Sequence, residues 1–184
     1  MSVHLAKCGK NLRVIGFEPM PYNITAFKRV LKHYGIKNIM LEEMALGNVE
    51  GEAEMVMPIL KNVRMQGLSH VVHPSITEFN EGNKVKVPLK VLDKIMENLT
   101  DGQHIGGIKI DVENFEFYVL DGARKTILKH KPIVYAELWD NDNRQRCFDL
   151  FNELGYKTLF LQKGELIPFL PKIHKTQNFF FLPA

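Results

Sequence analysis

The chain has 184 residues, long enough for one domain with a substantial core and short for two, and its 45% hydrophobic and 24% charged residues are ordinary globular values. The net charge of +3 is too mild to argue for nucleic acid. No apolar run approaches a membrane span, and the start MSVHLAKCGK lacks a signal peptide's apolar core. The spacing of Cys8 and Cys147 asks for neither a disulfide nor a zinc site, so the expectation is a soluble cytoplasmic protein with reduced thiols and no metal.

From the N-terminus, LRVIGF (12–17) has the pattern of a strand. PYNITAFKRVLKHYG follows as a helix, with Ile24, Phe27, Val30, Leu31 and Tyr34 on one stripe, Asn23 as cap and Gly35 as stop. NIMLEEMAL (38–46) is the next strand, and GEAEMVMPI (51–59) alternates like a more exposed one. Residues 60–87 lack a clean period and look like a loop excursion, and PLKVLDKIMENL (88–99) is helical. The apolar run ending in IKIDVE is a strand, followed by FEFYVLDGARKTILKH as one helix, with Phe115, Val119, Ala123 and Ile127 four apart and Asn114 as cap. The basic cluster 125–131 suits that helix's end, where cations meet the dipole favourably. PIVYAELW (132–139) is a strand and NDNRQRCFDLFNELG a helix ended by Gly155. YKTLFLQ and TQNFFFLP close the chain as two strands, the first followed by a turn at Lys163-Gly164.

Strands alternating with helices predict an α/β fold: a mostly parallel sheet in a single domain over 1–184, with an antiparallel hairpin at its C-terminal edge. Ligands of such sheets bind outside the carboxyl ends of the strands. Three strands end on acid there: RVIGFE at Glu18, IKIDVE at Asp111 and Glu113, and IVYAE at Glu137. Parallel strands would gather all four groups on one rim. Glu18 has the chemistry to accept ribose hydroxyls in a nucleotide-binding sheet, with Pro19 and Pro21 stiffening the turn behind it, though a helix N-terminus would also satisfy its charge. Asp111 and Glu113 share a face if the strand persists, and their repulsion would raise one pKa, as a general base requires. Lys109 lies on that face as well, so a salt-bridged structural cluster fits the spacing equally.

The ordered set VIGFEPMPYN, ALGNVEGEAEM, VLDKI, IKIDVENFEFYVLDGA and PIVYAELW resembles the FkbM family of S-adenosylmethionine-dependent methyltransferases, and IDVENFE, ELWDNDNR and TQNFFFLP resemble a bacterial branch of it. The resemblance runs from about Ser2 to the C-terminus. It implies a Rossmann-like class I methyltransferase sheet, S-adenosylmethionine as cofactor, and methyl transfer to a hydroxyl of a sugar, polysaccharide or similar small acceptor. It implies that Glu18, with Pro19, meets the cofactor's ribose, that the Ala45–Leu46 turn lies near the adenine, and that Asp111 and Glu113 are at the reacting end. Asp111 or Glu113 is then the candidate base, with His70 as rival. Gln66, Ser69 and His70 in the loop 62–75, together with Glu137 and Trp139, are the candidate acceptor contacts. His70 and His73 are expected to be ordinary loop histidines, and Trp139 and Tyr135 to pack.

One departure stands out. Members of the family begin with a strand ending in a glycine-rich turn. Here MSVHLAKCGKN resembles only the end of the first helix, and Cys8-Gly9-Lys10 is no substitute for that turn. The expectation is a missing strand between RVIGFE and IKIDVE, absent because the sequence starts late, or replaced by direct pairing or by a strand from a second chain in a homo-oligomer. Weak cofactor affinity follows. The rival function is a non-catalytic, cofactor-deficient binding module for a glycan or protein partner. A nicotinamide-dependent dehydrogenase ranks last, since no GxGxxG occurs.

Overall fold

The computed structural model describes residues 1–9, 11–100 and 102–184, with backbone alone at residue 97; Lys10 of the Cys8-Gly9-Lys10 segment lies outside the described residues. The chain divides into two compact units. The first comprises Met1–Leu46, Glu50–Val72 and Phe79–Lys90, and the second Gly47–Val49, His73–Glu78 and Val91–Ala184.

The first unit opens with α1 (Ser2–Lys7), β1 (Val14–Phe17), α2 (Pro21–His33) and β2 (Ile39–Glu42). Strands β1 and β2 pair in parallel, Val14 opposite Ile39 and Phe17 opposite Glu42. Pro21 starts α2, where its missing N–H costs nothing, so Met20 and not Asn23 holds the cap position. Gly35, at φ +61, ends the helix in the left-handed conformation that glycine tolerates. Of the predicted stripe, Ile24 is buried and Phe27 and Leu31 half-buried, while Val30 and Tyr34 stay exposed.

The remainder of this unit departs from the sequence expectation. The segment 38–46 is two strands, β2 and β3 (Ala45–Gly47), in different sheets. The supposed loop and the start of the supposed helix at 88 form β5 (Val63–Arg64), a 3-10 turn at Gln66–Leu68, β6 (His70–Val71) and the long β7 (Gly82–Val91). With β4 (Gly51–Leu60) these make a sheet of order β3-β7-β4-β5, antiparallel between β7 and β4 and between β4 and β5, β6 also pairing antiparallel with β4. In β7 the lysines at 84 and 86 are exposed while Val87 and Leu89 are buried, the alternation of a half-buried strand. Pro88 suggests a helix start locally but lies within the ladder, opposite Glu52.

The second unit contains α3 (Leu92–Thr100), β8 (Gly107–Ile110), α4 (Glu116–Asp121), α5 (Arg124–His130), β9 (Ile133–Glu137), α6 (Asp142–Glu153), β10 (Tyr156–Gln162), β11 (Glu165–Pro168) and β12 (Asn178–Pro183). Its sheet has the order β11-β10-β12-β9-β8, parallel between β8 and β9 and antiparallel elsewhere. The terminal hairpin is therefore β10 with β11 across Lys163-Gly164, and the last strand lies inside the sheet between β9 and β10. Along one face Ile110, Val134, Ala136, Phe179 and Phe181 are buried beneath Leu120, Ile127, Cys147 and Phe151 from the helices. The rings of Phe151 and Phe181 stack at 3.8 Å.

The single mostly parallel sheet of the sequence reading is thus three sheets, parallel between β1 and β2 and between β8 and β9. Strands β1 and β8 fall in different sheets, and among the described residues no strand pairs with both.

The expected helix 115–130 breaks at Gly122-Ala123 into α4 and α5. The Gly122 carbonyl accepts from the Asp93 N–H at 2.9 Å, and the Asp93 carboxylate accepts from Lys125 N and Thr126 N at 2.9 and 2.7 Å, capping α5 from a distant residue. A Cβ at Gly122 would stand 2.0 Å from the Gly47 carbonyl oxygen. Gly122→Ala is expected to lower unfolding free energy by about 1–3 kcal/mol, seen as a lower urea midpoint with unchanged slope.

Candidate active site

Strands β8 and β9 run parallel, so their carboxyl ends lie side by side, with Ile110 opposite Ala136. Asp111 follows the first and Glu137 ends the second. Lys109 donates to Asp111 Oδ2 at 2.6 Å, the ion pair anticipated from their spacing, although both side chains stay partly exposed. The strand stops at Ile110, so the alternation thought to align Asp111 with Glu113 does not continue. Glu113 and Asn114 instead adopt consecutive left-handed conformations, φ +52 and +73, forming a tight turn into α4. Two successive non-glycine residues there are uncommon and require support from their surroundings.

That support comes from side chains. Glu116, in the first turn of α4, accepts at one oxygen, Oε1, from both Val112 N and Asn114 N, each at 3.2 Å. The Asn114 side-chain oxygen accepts from Asn141 Nδ2 at 2.8 Å and Asn143 Nδ2 at 3.3 Å, and Asn143 Nδ2 also meets the Asn114 carbonyl at 3.1 Å. Asn141 caps α6 as well, accepting from Asn143 N and Arg144 N. These amides tie the turn after β8 to the helix start after β9.

The turn sets Glu113 among like charges. Burial, then Asp111, Glu116 and Glu137, push its carboxyl from an ordinary carboxylate value up to about 7, against the smaller opposing effect of Lys109. Glu116 is also raised to about 7, chiefly by burial, despite the backbone N–H groups that favour its charged form. Asp111, Glu113 and Glu137 thus form one acidic group in the second unit.

An aromatic cluster follows in sequence. Phe115 stacks on Tyr118 at 4.7 Å, and the His73 ring lies 4.4 Å from that of Tyr118. Arg146 covers Phe117 at 3.7 Å and donates to the Tyr118 hydroxyl and to Asn143 Oδ1. Burial and the Arg146 charge hold His73 below its usual pKa. Tyr135 packs on Phe180 at 4.8 Å and donates to Asn178 Oδ1 at 2.6 Å. Trp139 is half-buried, and its indole has no hydrogen-bond or ring partner among the described residues.

The other candidates belong to the first unit. Glu18 follows β1, where its N–H donates to the Glu42 carbonyl at 3.0 Å and its Oε1 accepts from Met20 N at 2.9 Å across Pro19. Oε2 has no partner among the described residues. Ala45 is buried and Leu46 half-buried in β3. His70 is 3% exposed, with Nδ1 against the Leu68 carbonyl at 2.9 Å and Nε2 against Asn80 Oδ1 at 3.2 Å. Its ring braces the loop with both nitrogens engaged. Ser69 turns inward to donate to the Gln66 carbonyl at 2.9 Å. A cavity of about 390 Å³ lined by Asn11, Arg13, Lys37 and Met40 lies at the amino end of β1 and β2, away from the carboxyl ends where ligands of parallel strands bind.

Glu116 and the asparagines at 114, 141 and 143 escaped the sequence analysis as site residues. Faint signals existed in a carboxylate two residues after Asn114 and in the Asn-Asp-Asn run opening α6.

The family model described as the methyltransferase FkbM domain matches residues 1–164. A crystal structure of methyltransferase FkbM from Methylobacillus flagellatus KT shares the fold at a TM-score of 0.56 and 17% identity, with 92% of this chain and 36% of that chain covered. The chain therefore spans little more than a third of that protein's length. No curated protein matches.

Proposed function

The chain belongs to the FkbM methyltransferase domain family, and from that premise we propose that it serves S-adenosylmethionine-dependent methylation of a hydroxyl on a sugar or similar small acceptor, with Glu113 as general base. One observation carries this reading: a half-buried carboxyl beside the ends of two parallel strands, raised to about 7 by burial and by neighbouring acids. A base of that pKa takes a hydroxyl proton more readily than an ordinary glutamate, with roughly half of it ionised at neutral pH and more above it. His70 is the weaker candidate, because both its ring nitrogens already face protein atoms.

The residues suit S-adenosylmethionine in kind. Glu18 Oε2 offers the acceptor that a ribose hydroxyl needs, and Asp111, Glu113 and Glu137 outnumber Lys109 in a field that favours a cation. When bound, the cofactor supplies an electrophilic methyl group on a sulfonium and leaves as the neutral thioether. In this reading Glu113 takes the proton as the acceptor oxygen forms its bond to carbon. Asp111 and Glu137 keep Glu113 basic, and the half-buried Trp139 indole offers a face for a sugar ring.

Transfer of tritiated methyl groups from S-adenosylmethionine to a panel of sugars and polysaccharides tests the proposal. Transfer that disappears in Glu113→Gln supports it. Glycan binding without transfer would favour a non-catalytic module instead. Glu18→Gln is expected to weaken cofactor binding about tenfold by isothermal titration, the loss of one charge-assisted hydrogen bond.

A further inference from the structure

We infer that Glu116 is a positioning residue for Glu113: its buried carboxylate holds the left-handed turn that decides where the Glu113 side chain stands. This inference rests on the general-base role proposed above. Glu116 is 2% exposed, and burying a carboxyl is unfavourable unless it is employed. As the first residue of α4 it could simply favour the helix N-terminus. The N–H groups it receives argue otherwise. Val112 and Asn114 precede the helix and flank Glu113 on either side, and one carboxylate oxygen collects both. Without that acceptor two inward-facing amides would lose their partner, and the φ +52, +73 pair would relax towards commoner backbone conformations.

The other side of the turn is held independently. Asn141 and Asn143 grip Asn114, so the residue after Glu113 is also held from α6, while the N–H of the residue before it has Glu116 as its one hydrogen-bond partner among the described residues. Glu113 faces Asp111, Glu116, Glu137 and Lys109, and each of those distances depends on the turn. Glu116 therefore acts on the base in two separable ways, through its acceptor oxygen and through its charge.

Three substitutions separate them. Glu116→Gln keeps an acceptor oxygen and removes the charge. Glu116→Asp keeps the charge on a side chain too short to reach both amides, and Glu116→Leu removes both functions. Methyl transfer is measured against pH, and the Glu113 carboxyl is titrated by carbon-13 NMR with Glu113→Gln as the assignment control. Glu116→Gln is expected to keep kcat within about threefold of the parent and to move the Glu113 midpoint down by less than about one pH unit. Glu116→Leu and Glu116→Asp should each lower kcat about tenfold or more with acceptor KM little changed, and in Glu116→Leu the midpoint should fall by more than about one unit as the side chain swings into water.

A folded Glu116→Leu with parental kcat and midpoint would overturn the inference. If that variant does not fold, the Asp and Gln variants decide: an impaired Gln beside an Asp with parental kcat would mean that charge, not position, is what matters, and would overturn the inference. The NMR midpoint needs no turnover. Should Glu113→Gln stay active, the base role fails on its own, and the effect of Glu116 on the Glu113 midpoint is still read.

Discussion

Glu113→Gln is expected to lower kcat for methyl transfer by about 10²–10⁴-fold, the range over which a positioned base contributes, while cofactor affinity changes little. The amide has nearly the shape of the acid but cannot accept the hydroxyl proton. In the parent, kcat should rise with pH through about 7 and level off above it, because the carboxyl titrates there. The variant should lack that inflection. A stability measurement checks the same group without catalysis. Its folded pKa, about 7, exceeds the ordinary value of 4.5, so the folded state holds the proton more tightly than the unfolded chain. That stabilising contribution is fully present below about 4.5 and is lost as pH rises through about 7. Glu116, raised in the same sense, adds to the trend. The urea midpoint should therefore decline between about pH 5 and about pH 8, and less steeply in Glu113→Gln. A parent whose stability rises across that interval would show that these acids are not held as described.

Phe181→Ala is expected to cost about 3–5 kcal/mol, the range for truncating a buried aromatic ring. Phe181 is fully buried on the helix-covered face of the second unit's sheet, paired with Val134 on β9 and Thr158 on β10. Its ring stacks on Phe151 at 3.8 Å, nearly parallel, and Phe148 lies 6.1 Å away. The backbone ladder on both sides prevents collapse around the void, so transfer and cavity costs add. Leu161→Ala is the control: that side chain is 58% exposed and should change stability by no more than about 0.5 kcal/mol. Urea unfolding followed by circular dichroism reads both. Equal effects from the two substitutions would contradict the packing of this sheet.

Much of the fold was legible from local pattern. The strands at 14–17, 51–60, 133–137 and 156–162 and the helices at 21–33 and 142–153 emerged near their observed bounds, because apolar periodicity and Gly or Pro punctuation act within a few residues. Strand β7 was missed because Pro88 before an apolar run imitates a helix start, and only pairing with β4 makes the segment extended. The helix break at Gly122 was missed for a similar reason. Nothing near it in sequence records that the Gly47 carbonyl lies against it or that Asp93, 29 positions earlier, takes over the capping of α5.

The candidate site divides along the same line. By itself the sequence determined that acids follow the strands at 111, 113 and 137, that Lys109 can pair with Asp111, and which family the chain resembles, since residue identity and spacing are properties of the chain alone. Only the tertiary structure decided that Glu113 leaves the strand in a left-handed turn, that Glu116 and three asparagines hold it there, and that its carboxyl titrates near neutrality. Desolvation and charge coupling depend on which distant groups surround a side chain, and folding alone brings those groups together.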